Sequence, residues 1–225
     1  MRNLPELRRL LVRFAALAAL AGGAFAQGAT ATSVAPSASA APDALILALS
    51  NDVLDAIRKD KSLQSGDVAR LNALVDEKVL PYVNFEKMTQ LAVGRGWRQA
   101  TPEQRQALIR EFRTLLVRTY SGAVSVASES RVQLRPFRAA PNDTDVVVRT
   151  VVVVPSRAEP IQLDYRLEKT DAGWKIYDVN VLGVWLVENY KSSFAAEINA
   201  GGIDGLIKSL TERNRQLAAA DKKKA

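Results

Sequence analysis

Neither histidine nor cysteine occurs among the 225 residues. A Ser-His or Cys-His nucleophile pair, a thiolate ligand and an imidazole ligand are therefore all out of reach. Chemistry by a pair of carboxylates remains open. Two facing carboxylates would suffice for glycoside hydrolysis, and Asp164, Glu168 and Asp178 are the candidates. Acids on strands more often face solvent, and a linear sequence does not show which carboxylates face each other. Arg105, Arg110, Arg113 and Arg118 recur along one segment and could grip phosphate, although a solvated helix face looks the same. Gly94-Arg95-Gly96 resembles part of a dinucleotide loop. It follows a helical pattern and lacks the third glycine, which fits a helix C-cap and turn better.

The other resource is aliphatic surface, and its spacing names the elements that carry it. Leu45, Ile46, Leu49, Val53 and Ile57 recur at helical period, as do Val68, Leu71, Leu74, Val75 and Val79 up to Pro81. A short helix is expected from Phe85 to Val93, closed by Gly94. Thr101-Pro102-Glu103-Gln104 combines a cap, a first-turn proline and a capping box. It opens a central helix with Leu108, Phe112, Leu115, Leu116 and Tyr120 on one face. After Gly122 the texture changes to β-branched alternation through Val132 and Leu134, Val146 to Val154, Ile161 to Leu167, and Trp174 to Val181. Asp171-Ala172-Gly173 supplies a hairpin turn. Val146 to Val154 is apolar on both faces except at Arg149 and Thr150, so it is expected to be a central strand covered on both sides or facing a cavity. Helices from Glu188 to Asn199 and from Ile203 to Leu217 follow, parted by Gly201-Gly202. The fold class is thus α+β: a twisted antiparallel sheet of about four strands packed by N- and C-terminal helices. An apolar sheet face under helices describes an ordinary core and a lipid pocket equally well.

The ends set the address. Arg2, Arg8, Arg9 and Arg13, the apolar stretch from Phe14 and Ala24-Phe25-Ala26 read as a secretory signal peptide over 1–26. A membrane anchor would need roughly 20 apolar residues, more than lie here. Residues 27–42 are rich in Ala, Ser, Thr and Pro and read as a disordered linker. Residues 43–217 form one domain, and 218–225 a basic tail. Removing the signal takes away four Arg and one Glu, which lowers the formal charge from +7 to +4. The remaining Lys and Arg interleave with acids and lack the stripe and stacking aromatics of a nucleic-acid face; mild attraction to anionic membrane surfaces stays open. With no cysteine in an exported chain, stability must come from the core.

Three blocks together resemble the MlaC family of periplasmic phospholipid-binding proteins. They are Leu80-Pro81-Tyr82-Val83-Asn84-Phe85, the run from Leu91-Ala92-Val93-Gly94 through Trp97 to Arg105 and its helix, and Trp174-Lys175-Ile176-Tyr177-Asp178-Val179 continuing to Gly205-Leu206. Trp185 and Lys191 depart from the residues usual in that family. The resemblance implies a carrier that shuttles phospholipid between an outer-membrane lipoprotein-porin complex and an inner-membrane ABC transporter complex with an MCE-domain protein. It implies no catalysis, no metal, no nucleotide and no nucleic acid, with phospholipid as the ligand. The expected lining is Val152, Val154, Leu163, Tyr165, Val179 and Val181 on strands and Phe112, Leu116 and Tyr120 on the central helix, with Val184 and Trp185 at the mouth. A ligand-free interaction domain with a filled core and a two-carboxylate hydrolase are the competing readings.

Overall fold

The computed structural model describes residues 40–222. The expected signal peptide and nearly all of the linker lie outside them. Helix α1, Pro42–Lys59, starts on a proline that fits the first turn and carries Asp43 at its positive end and Arg58 and Lys59 at its negative end. Asp60 then ends α1 and caps α2, Lys61–Gln64, accepting N–H bonds from Ser62 and Leu63 at 2.9 and 3.3 Å. Asp67 caps α3, Val68–Leu74, in the same way. The helical spacing predicts continuation to Val79, but the chain widens into a π turn over Val75–Val79. Pro81 explains this, because it lacks an N–H and its ring clashes with the carbonyl one turn back.

Helix α4, Phe85–Val93, is capped by Asn84 and stops at Gly94, whose φ of 64° suits glycine. Its start is tied to the sheet: Asn84 N–H donates to the Ile176 carbonyl at 2.8 Å, and Asn84 Nδ2 to Glu168 at 2.8 Å. Helix α5, Pro102–Tyr120, has the expected capping box of Thr101 and Gln104. A single turn, α6, Val124–Ala127, leads into the strands.

The strands are β1, Arg131–Leu134; β2, Asp145–Val153; β3, Ile161–Thr170; β4, Gly173–Val181; and β5, Val184–Trp185. They form an antiparallel five-stranded sheet in sequence order. The strand beyond the four expected follows the turn Leu182-Gly183, where φ is positive at both residues, 53° and 87°. That is the geometry a two-residue hairpin turn favours. The last helix, α7, Leu186–Lys222, breaks at Gly202, φ 67°, where two helices are expected.

Two clusters place the site. Under the sheet, Leu45, Ile46 and Leu49 of α1 pack on Val146, Val148, Leu167 and Ile176. Beside it, α4, α5 and α7 build an aromatic core in which Phe112 lies 4.9 Å from Tyr190 and 5.2 Å from Phe194, ring centre to ring centre. Val83 and Val179 touch both clusters. Gly96 allows this approach, since a Cβ there would meet Ile198 Cδ1 of α7 at 2.9 Å. Gly94 and Gly96 thus serve a turn and a helix contact.

Candidate functional site

Strand pairing decides which side chains share a face, because successive residues alternate. Leu163 pairs with Val181, Tyr165 with Val179, Val152 with Ile161 and Val181 with Val184. Together with Val146, Val148, Leu167 and, past a bulge at Tyr177 that shifts the alternation of β4, Ile176, they form one apolar inner face, turned toward the helices. Its two ends differ. Val148 and Leu167 have no accessible surface, and Ile176 has 2%. Val152, Leu163, Val179, Val181 and Val184 stay half-buried although they point inward. From the helical side, Leu116 and Tyr120 are half-buried too, and Leu116 and Val179 flank the same aromatic cluster.

Tyr165 marks the transition. Burial pushes its hydroxyl up to about 12, partly relieved by hydrogen bonds with Ser50 of α1 and Thr150 of β2. The side chain still keeps accessible surface. Tyr165 therefore sits between the sealed and the half-buried ends of the inner face. Tyr120 behaves alike, pushed up to about 12 by burial while half-buried.

Three expected lining residues are placed elsewhere. Phe112 has no accessible surface and is the centre of the aromatic core. Val154, just past β2, is buried at 3%. Trp185 pairs with Asn180, so it lies on the outer face of the sheet, where the Arg166 guanidinium stacks 4.1 Å above its ring. Sequence reading missed Ser50, Thr150 and Ile161. Ile161 follows from strand alternation alone, whereas Ser50 and Thr150 read as polar breaks in apolar patterns.

The carboxylates each have their own partners. Glu168 binds Lys87 at 2.5 Å and Asn84 at 2.8 Å. Asp164 accepts from Gln162 at 2.5 Å and the Thr150 N–H at 3.3 Å. Asp178 accepts from the N–H groups of Val179 and Val187 at 2.8 and 3.0 Å, and Arg166 lies 3.1 Å away. Loss of hydration nevertheless raises the Asp178 carboxyl, the pull of these donors being smaller. All three lie on the outer face, and their arrangement is structural: Asp178 holds the first turn of α7 to β4. Three of the four central-helix arginines are engaged, Arg113 with Asp76, Arg118 with Asp221 at 3.1 Å and Arg105 over Trp97, while Arg110 is exposed. Among the described residues no cluster of three acidic groups could hold a metal. No described helix is long and apolar enough to cross a membrane. A cleft of about 430 Å³ between α1, α2 and α3 is lined by Asp52, Asp55, Lys59, Asp60, Arg70 and Lys78 among others. Its charged walls are unsuited to acyl chains.

The chain is similar to a solved phospholipid-binding protein from Ralstonia solanacearum, in complex with a phospholipid. The identity is 47%, the TM-score 0.77, and the match covers 80% of this chain and 99% of the other. It is 24% identical over 181 residues to the intermembrane phospholipid transport system binding protein MlaC of Haemophilus influenzae, covering 80% of this chain and 85% of that one. The family model described as MlaC protein matches residues 48–212, nearly the whole run from α1 to α7, and the chain therefore belongs to the MlaC family.

Proposed function

We propose that this chain is a periplasmic carrier that holds the acyl tails of a phospholipid between the inner face of its sheet and its helices, leaving the head group outward. The observation that carries the reading is the inner face itself, aliphatic and inward yet half-buried at Val152, Leu163, Val179 and Val181. The phospholipid bound by the 47% identical Ralstonia protein supports it.

Energetics favour such a surface. A two-tailed lipid carries on the order of 30 methylenes, at about 0.8 kcal/mol each relative to water. Leaving a bilayer for water is therefore prohibitive, while exchange into an apolar pocket is nearly neutral. Aliphatic walls suit this better than polar recognition, because a carrier must also release its cargo. The lining in this reading is Leu116 and Tyr120 of α5 with Val152, Leu163, Tyr165, Val179, Val181 and Val184. Phe112 and Val154 act as packing behind it. The carrier would move phospholipid between an outer-membrane lipoprotein-porin complex and an inner-membrane ABC transporter complex bearing an MCE-domain protein, and so maintain lipid asymmetry of the outer membrane. It does so without catalysis or cofactor, after removal of residues 1–26.

Mass spectrometry of the purified protein tests this. Co-purified phospholipid is expected, and a lipid-free protein that also refuses to load from vesicles would sink the reading.

A further inference from the structure

Strand β2 is apolar on both faces, and the core uses only one of them. Val146 and Val148 meet α1, whereas Val147, Val151 and Val153 alternate to the outer face, half-buried and outside every packed cluster. Arginines rim this row. Arg131 pairs with Val153, and the Arg135 N–H donates to the Arg149 carbonyl at 2.9 Å, which sets these two side chains directly opposite each other. All three are exposed, and none makes an ion pair among the described residues. Like charges facing across a strand pair destabilise a sheet. Asp164 is opposite Arg149 in register, but its carboxylate is buried and turned to Gln162 and the Thr150 N–H. Glu129 and Glu159 are the other acids close in sequence to Arg131 and to the end of β2, and Asp145, exposed at the start of β2 on this same face, accepts from the Tyr177 hydroxyl at 2.8 Å.

A flat row of short valines offers neither the protruding anchor nor the pocket of a protein hot spot. The guanidinium groups around it present planar, bidentate donors suited to phosphate. We infer that the outer face of β1 and β2 rests on the anionic headgroups of a phospholipid bilayer, with Arg131, Arg135 and Arg149 meeting lipid phosphates. This deepens the carrier reading and rests on it for its purpose. Arg131 stands at the end of the sheet where Val152, Leu163 and Val181 are only half-buried, so docking holds that end near the lipid source.

The test is co-sedimentation of the purified protein with vesicles. It is expected to pellet with phosphatidylglycerol mixed into phosphatidylcholine at low salt, to be released as salt rises, and to stay in solution with phosphatidylcholine alone. Each arginine contributes about fivefold to partitioning, the equivalent of about 1 kcal/mol. R131Q/R135Q/R149Q should thus lose about a hundredfold while its circular dichroism and co-purified lipid stay unchanged. R110Q/K61Q/K208Q, with the same charge removed from exposed positions elsewhere, should keep most of the binding. Should the face serve an acidic protein instead, the wild type stays in the supernatant with anionic vesicles, and that overturns the inference. Equal loss in the two triple variants overturns it as well. Lipid in the mass spectrum without vesicle binding defeats the docking face alone, whereas absent lipid defeats the carrier reading.

Discussion

The two ends of the inner sheet face carry the same kinds of side chain and have opposite fates. At one end Val146, Val148, Leu167 and Ile176, with 8%, 0%, 0% and 2% of their surface accessible, are sealed by Leu45, Ile46 and Leu49 of α1. At the other, Val152, Leu163 and Val181 keep surface open. Each apolar Å² removed from water is worth about 25 cal/mol, so the sealed end contributes its burial to folding. The half-buried end contributes less, and on the proposed reading it gains the rest when acyl chains cover it. On the proposed reading, stability and binding are divided along a single face by where a helix lies.

Breaking the sealed side should cost most. Phe194 has no accessible surface and packs against Phe112 and Tyr190. Phe194→Ala is expected to lose about 3–5 kcal/mol in urea denaturation, without direct loss of any open-end contact. Overpacking compares the ends directly. Val148→Trp should destabilise by about 1–3 kcal/mol, whereas Val181→Trp should stay within about 1 kcal/mol and reduce co-purified phospholipid. Equal destabilisation by the two would erase the distinction.

Asp178 sharpens the comparison from the outer face, because it anchors the helix that supplies Tyr190 and Phe194 to the closed core. Asp178→Ala should cost about 1–3 kcal/mol by leaving the buried Val187 N–H unpaired. Its carboxyl is raised in the folded state by lost hydration. The folded chain therefore holds this proton more tightly than the unfolded one. Its contribution to stability is largest at acid pH and falls as pH rises from the ordinary carboxylate range through the raised value. In denaturation measured from pH 4 upward, Asp178→Asn should lack this fall, and a parallel pH profile would remove Asp178 as its source. The smallest stability effect is expected for Leu163→Ala, below about 1 kcal/mol at a half-buried site, with a measurable drop in bound lipid by mass spectrometry.

Local chemistry made much of the scaffold legible. The Thr101 capping box, the Gly94 stop and the Thr170 to Gly173 hairpin depend on neighbours in sequence, and each stands where its residues place it. Legibility failed where an element answers to something distant. The α3 helix was expected to reach Val79, but the proline two residues later loosens its last turn. β5 is only two residues long, too short for alternation to register. The candidate site was harder still. Tyr165 and Val181 are assigned to strands by their pattern, but their incomplete burial is not legible there, and Phe112 reads as a wall residue although three aromatic neighbours enclose it.

By itself the sequence determined the excluded chemistry, since missing His and Cys remove whole mechanisms, and it determined the parity of β2 and β3, since side chains alternate along an unbroken strand; in β4 a bulge at Tyr177 breaks that alternation and brings Ile176 to the same face as Val179 and Val181. Tertiary structure alone decided which half of an apolar face is covered. It put Trp185 beneath Arg166 on the outer surface, through the pairing of a two-residue strand with Asn180. It left Val152, Leu163 and Val181 open because α1 packs on the Val146 end of the sheet and the aromatic core closes on itself. Coverage is a long-range property. Aliphatic side chains that will be filled by protein and those that will be filled by ligand are chemically the same until the helices are in place.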